Sequence, residues 1–203
     1  MHSLTLYIIR ISLKILEESA LIVVDVQNDF CPGGALPVPE GDKVVSVINK
    51  YIEKFELRGS LVIATRDWHP KNHISFRSQG GIWPEHCVQN TRGAEFHPSL
   101  RLPKKVIVIS KTDKPDKEAY SGFQGTDLDT ILRENTIREL FIGGLATDYC
   151  VKNTVLDGLT KGYKVYLLVD AIKGVEANLG DSEKAIKEMI SRGVIKIYIK
   201  DFG

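Results

Sequence analysis

The segment Ala20–Val26 reads ALIVVDV, and a strand with almost no polar residue has no face to offer to water. Such a strand must be covered on both sides. Val44, Ile48, Tyr51 and Phe55 follow at helical spacing, giving a helix that ends near Gly59. The alternation then repeats. Further strands are expected at Ser60–Thr65, Lys105–Ser110, Ile137–Gly143, Tyr163–Val169 and Val194–Ile199, with helices near 126–134, 149–161 and 181–192. Gly59, Gly162 and Gly193 stand where helix C-caps belong. The pattern predicts an α/β protein: three layers, α/β/α, around a six-stranded, mainly parallel, Rossmann-like sheet.

Two connections break the rhythm of short joints, and both leave from strand C-termini. Arg66–Lys104 is too long for an ordinary loop and carries Trp68, Trp83 and four of the five histidines, His69, His73, His86 and His97. Lys111–Gly125 is rich in Asp, Lys and Gly. No repeat, linker or composition break divides the chain, so residues 20–203 read as one domain behind an N-terminal extension, 1–19. In that extension Ile9, Ile11, Leu13 and Ile15 alternate with Arg10, Ser12 and Lys14. This is the pattern of a half-buried edge strand or interface element, and a start-site artefact fits equally. Arg10 and Lys14 interrupt what a signal peptide would need as its apolar region.

The 203 residues carry 27 Lys+Arg against 26 Asp+Glu, without a basic block. That balance argues against nucleic acid and membrane surfaces as partners and favours a small molecule. No apolar run approaches the roughly 20 residues of a bilayer span. Three cysteines, Cys31, Cys87 and Cys150, form no disulfide framework, so a cytoplasmic compartment is expected. A homo-oligomer stays open.

Ligands of open α/β sheets collect outside the carboxyl ends of the strands. Asp25 ends the first strand, Asp67 and His69 follow the second, Lys111 follows the third, and Cys150 lies just beyond the fourth. Between Val24 and Val26, Asp25 should be partly desolvated and its pKa raised towards that of a general base. A structural carboxylate is the bland alternative. Cys150 falls near the first turn of a helix, where backbone N–H groups and the helix dipole favour a thiolate and can receive an oxyanion. A buried structural cysteine is its alternative, and that reading is kept for Cys31 and Cys87. Asp67, His69, His73 and His86 offer oxygen and nitrogen donors suited to zinc, iron or manganese, whereas a packed loop would use the same residues without a metal. His97 fits no spacing and reads as structural. There is no phosphate-binding loop, dinucleotide glycine fingerprint or G-x-S-x-G elbow.

In order, these residues resemble the nicotinamidase/pyrazinamidase family of isochorismatase-like cysteine hydrolases. The resemblance is carried by Asp25-Val26-Gln27-Asn28-Asp29-Phe30, Pro32-Gly33-Gly34-Ala35-Leu36, Thr65-Arg66-Asp67-Trp68-His69-Pro70 with His73, and Trp83-Pro84-Glu85-His86-Cys87-Val88. Ser110-Lys111, Glu118-Ala119-Tyr120-Ser121-Gly122-Phe123 and Gly143-Gly144-Leu145-Ala146-Thr147-Asp148-Tyr149-Cys150-Val151 complete it, and coverage runs from about residue 20 to the C-terminus. The resemblance implies a catalytic triad of Asp25, Lys111 and Cys150, and a divalent metal, zinc first, within Asp67, His69, His73 and His86. His73 is the ligand on which relatives differ. It further implies a pyridine slot lined by Phe30, Trp83 and Tyr120, a cis peptide between Leu145 and Ala146, and an oxyanion hole from the Ala146 and Cys150 amides. The implied activity is hydrolysis of nicotinamide to nicotinate and ammonia through a Cys150 thioester, in NAD salvage, with pyrazinamide as a second substrate. The triad alone also suits a carbamoyl or ureido substrate. From another class, a metal or thiol sensor would need neither Asp25 nor Lys111.

Overall fold

Ala20, Ile22 and Val24 belong to one buried cluster while Leu21 and Val23 belong to another, so successive side chains of the first strand feed opposite faces of a sheet. A computed structural model describes residues 15–202 of the chain; the strand expected from Ile9, Ile11 and Leu13 lies outside them. Six strands, β1 (Ser19–Val24), β2 (Leu61–Asp67), β3 (Ile107–Lys111), β4 (Glu139–Leu145), β5 (Lys164–Lys173) and β6 (Ile195–Ile197), pair in the order β3-β2-β1-β4-β5-β6. Every pairing is parallel, so the sheet is wholly rather than mainly parallel. Strand order reverses at β1, and the crevice there opens between the carboxyl ends of β1 and β4.

Helix α1 (Lys43–Leu57) buries Val44, Ile48, Tyr51, Ile52 and Phe55 against one face, where Phe141 stacks on Tyr166. Helices α2 (Leu128–Glu134), α3 (Lys152–Thr160) and α4 (Asp181–Ser191) bring Leu128, Leu132, Val155 and Met189 to the other. Gly59, Gly162 and Gly193 all take positive φ just beyond helix ends. No helix among the described residues is long and apolar enough to cross a membrane.

Every strand is shifted by a residue or two from the sequence expectation, β5 by more at its far end, and the ends of β1 and β5 show why. β1 stops at Val24 because Asp25 turns the chain, at φ +47°. β5 runs on past Asp170 to Lys173, re-pairing with Gly144 and Leu145 after a bulge of its own between Leu167 and Ile172. Asp170 survives in the strand because its two oxygens accept the Tyr51 hydroxyl at 2.8 Å and the Ile199 amide at 2.9 Å. Tyr51→Phe deletes the first bond at a fully buried ring, and unfolding in urea should show a loss of about 1–2 kcal/mol with activity kept. Unchanged stability would contradict this account of the β5 extension.

Candidate active site

The parallel register sets Asp67, the last residue of β2, directly beside Lys111, the last residue of β3. Asp25, just past β1, stays tied to β2 through its amide, which donates to the Thr65 carbonyl at 3.2 Å. Beyond β4 the chain closes one π-helical turn, Thr147–Val151, before α3, and this turn carries Cys150. The Tyr149 and Val151 amides donate to the Ala146 carbonyl at 3.1 and 3.0 Å, and the Leu145–Ala146 peptide is cis. Gly144 allows the approach: at φ +129°, a Cβ there would sit 2.0 Å from the Val24 carbonyl oxygen.

Asp25, Lys111 and Cys150 are brought together and buried. The Lys111 ammonium lies 3.0 Å from Asp25 Oδ2, bonds Asp67 Oδ1, and reaches Cys150 Sγ at 3.5 Å. Burial works against the charged form of Lys111, but Asp25 and Asp67 outweigh it and hold the amine well above its ordinary pKa. Burial raises the Asp25 carboxyl, and the pull of Lys111 does not cancel that rise. Asp67 goes the other way, since Lys111, His69 and His86 together overcome burial and lower it. Cys150 departs from the sequence expectation. Burial, reinforced by Asp25 and Asp67, holds its thiol well above the usual range despite Lys111, so the resting site keeps the sulfur protonated beside a carboxylate base.

Asp67, His69 and His86 offer donor atoms within 4.8 Å of one another, all buried. His69 Nδ1–H donates to the His86 carbonyl at 3.1 Å and His86 Nδ1–H to the Pro84 carbonyl at 2.8 Å, which leaves both Nε2 lone pairs free. Burial pushes His69 down to about 3, so the ring is neutral and ready to ligate. Two buried carboxylates against one buried ammonium leave this interior short of positive charge. Donor set, tautomers and charge all fit a divalent cation. His73 stands apart from the three. Its ring lies 4.4 Å from that of His69, but Nε2–H donates to the Lys117 carbonyl at 3.0 Å and Nδ1 accepts from Ser75. His97 accepts the Ser99 amide in a turn of the long connection.

Both clusters open into one cavity lined by Phe30, Trp83, Tyr120 and Ala146 together with residues not singled out from the sequence, chiefly Leu36, Tyr149 and Val175. Trp83 Nε1–H donates to the Tyr120 hydroxyl at 3.0 Å, and Tyr149 meets the Trp83 ring edge-on at 5.1 Å. Supporting residues also escaped the sequence reading. Gln27 accepts the Asp67 amide and donates to the Asp67 and Ala94 carbonyls, each within 2.9 Å. Asp29 holds the Ala35 and Cys87 amides, tying the turn beside Phe30 to the loop of His86. Asp148 takes the Val175 and Glu176 amides at 2.9 Å each and so sets the far wall. Gln27, Asp29 and Asp148 all sit inside the motifs that carry the resemblance, which is the one signal the sequence offers for them. The long connection is ordered by its own pairing, His69 with Val88 and Phe76 with Trp83.

Residues 19–199 match the isochorismatase domain. A nicotinamidase of Escherichia coli (strain K12) is 46% identical over 204 residues, covering 90% of this chain and 96% of the relative. The crystal structure of the Pyrococcus horikoshii pyrazinamidase in complex with zinc is 58% identical with a TM-score of 0.86, covering 89% of this chain and 99% of that one. The crystal structure of PnC1 from L. infantum in complex with nicotinate has a TM-score of 0.88 at 32% identity, over 95% of this chain and 99% of that one.

Proposed function

The chain belongs to the isochorismatase family of hydrolases, and from that premise we propose that it is a nicotinamidase, releasing ammonia from nicotinamide and acting on pyrazinamide as well. One observation carries the reading. A cysteine with a carboxylate and an ammonium at its side shares an aromatic slot with a metal-type Asp/His cluster, which suits a flat ring with a carboxamide at one end and a ring nitrogen at the other.

In the proposed mechanism Asp25 takes the Cys150 proton and the sulfur attacks the carboxamide carbon, while the Ala146 and Cys150 amides receive the oxyanion. Asp25 returns the proton to the departing nitrogen, so ammonia leaves and a thioester remains. Asp25 then deprotonates a water, which attacks the thioester; nicotinate leaves and the thiol is restored. Lys111 stays protonated throughout and prevents the buried carboxylates from facing each other uncompensated. A divalent cation, zinc first and iron or manganese after it, would be held by Asp67, His69 and His86 and would supply positive charge that orients the pyridine nitrogen, directly or through bound water. His73 is assigned to the wall beside it. Turnover of this kind returns nicotinamide towards NAD, and three free thiols suit a reducing cytoplasm.

The test is ammonia release from nicotinamide by purified protein, after metal stripping and after return of zinc, iron or manganese. Metal-restored release supports the reading, and silence from folded protein with every metal would move the assignment to a ureido or carbamoyl substrate. His86→Ala should lower metal content and raise KM for nicotinamide by about tenfold or more. An unchanged KM would rule out the orienting role of the cation.

A further inference from the structure

The two oxygens of the Asp25 carboxylate are not equivalent. Oδ1 accepts the Thr65 hydroxyl at 2.6 Å. Oδ2 is buried, has no hydroxyl or amide donor on it, and is ion-paired with the Lys111 ammonium at 3.0 Å. Thr65 itself is fully buried on β2. A carboxylate turns about its last torsion with a twofold-symmetric preference, and a hydroxyl on one oxygen with an ammonium on the other breaks that symmetry.

We propose that Thr65 is a positioning residue: its hydroxyl occupies Asp25 Oδ1 and thereby makes Oδ2 the oxygen that exchanges a proton with Cys150 Sγ. The inference rests on the reading of Asp25 as the base. In the step concerned the Sγ–H bond breaks, the electron pair stays on sulfur, and an Oδ2–H bond forms. Donor atoms of Asp25 and Cys150 lie within 4.8 Å of each other, so a short approach completes the transfer. Thr65 is suited to hold a fixed direction. β-Branching stiffens its χ1, and its methyl is confined by the Gly122 turn, where an added Cβ would come within 3.0 Å of Thr65 Cγ2.

Thr65→Val keeps shape and methyl packing but removes the donor; Thr65→Ser keeps the donor. The metal-loaded proteins are compared on nicotinamide and, separately, on p-nitrophenyl acetate, whose acyl transfer to Cys150 reads the same proton transfer without a pyridine substrate. The Cys150→Ala protein is the blank. Thr65→Val should lose about ten- to hundredfold in kcat with KM within about twofold, and Thr65→Ser should recover most of the loss. Wild-type kcat in Thr65→Val, a rise in KM in place of the loss, or no recovery with serine overturns the inference. If wild-type protein ignores nicotinamide but the ester shows the Val and Ser pattern, the substrate reading falls and the role of Thr65 stands. Silence of wild-type protein towards both overturns the two together.

Discussion

Replacing Cys150 with alanine should leave a folded protein with an undiminished metal content and a rate of ammonia release lower by about 10⁴-fold or more. The separation follows from position. Cys150 stands on the π-helical turn after β4, whereas Asp67, His69 and His86 come from the end of β2 and the connection that follows it. The two sets meet at Asp67: Lys111 bonds it and reaches the sulfur, and donor atoms of Asp25, Asp67 and Cys150 lie within 4.8 Å of one another, but Cys150 is not among the donors that converge with His69 and His86. Removing the sulfur deletes the proposed nucleophile and leaves the donor atoms of Asp67, His69 and His86 in place. Loss of metal in Cys150→Ala, read by elemental analysis, would show that the two clusters are one structural unit and would contradict the division of roles.

Lys111→Met should be the most destabilising of the site substitutions. The side chain is buried between two buried carboxylates, and deleting one partner of such a group leaves charge without compensation, at a cost of about 3–5 kcal/mol. The pH dependence has a definite sign. Without the ammonium, Asp25 and Asp67 repel across a low-dielectric interior and the folded variant holds a proton that the unfolded chain releases. Stability of the variant therefore falls as pH rises through the carboxylate range, and its deficit is smallest in acid. In the wild type the two carboxylates act with opposite signs. The lowered pKa of Asp67 gives stability that is present above the unfolded carboxylate range and is lost as pH falls through its folded value. The raised pKa of Asp25 gives stability that is lost as pH rises through its folded value, so the wild-type curve is flatter than that of the variant. Urea unfolding of the two metal-stripped proteins across that range checks both curves, and a deficit independent of pH would contradict the charge account.

Most of the architecture is written in the periodicity. ALIVVDV announces a two-sided strand, and the structure feeds alternate residues of that segment to opposite clusters. Helix ends at Gly59, Gly162 and Gly193 were equally legible, because a residue able to take positive φ at a C-cap marks the end of the helix in the sequence itself. Asp170 shows where the local signal stops. A charged residue ends a hydrophobic run on paper, yet the strand continues because Tyr51 and Ile199, both distant in sequence, satisfy both oxygens.

The candidate site divides in the same way. Residue types at strand ends pointed to Asp25, Lys111 and Cys150, since an acid, an amine and a thiol at one sheet edge have few structural uses in common. Their protonation was not legible. A thiol at a helix start reads as activated, but burial together with Asp25 and Asp67 outweighs that effect. Sequence spacing likewise could not separate His73 from His69 and His86. Which ring nitrogens stay free depends on carbonyls at Lys117, His86 and Pro84, one of them 44 residues from its partner. Thr65 and Gln27 were invisible as partners for the same reason, each meeting its carboxylate or amide 40 positions away.

The account turns on a covalent nicotinoyl group carried by one sulfur, so the most direct measurement is peptide mass analysis of protein quenched in acid while turning over nicotinamide. A mass increase of one nicotinoyl group on the peptide containing Cys150, absent from the peptides of Cys31 and Cys87 and absent in Cys150→Ala, is the predicted result. Ammonia released at full rate with no adduct at any quench time under conditions that preserve thioesters, or an adduct on a different cysteine, would contradict it.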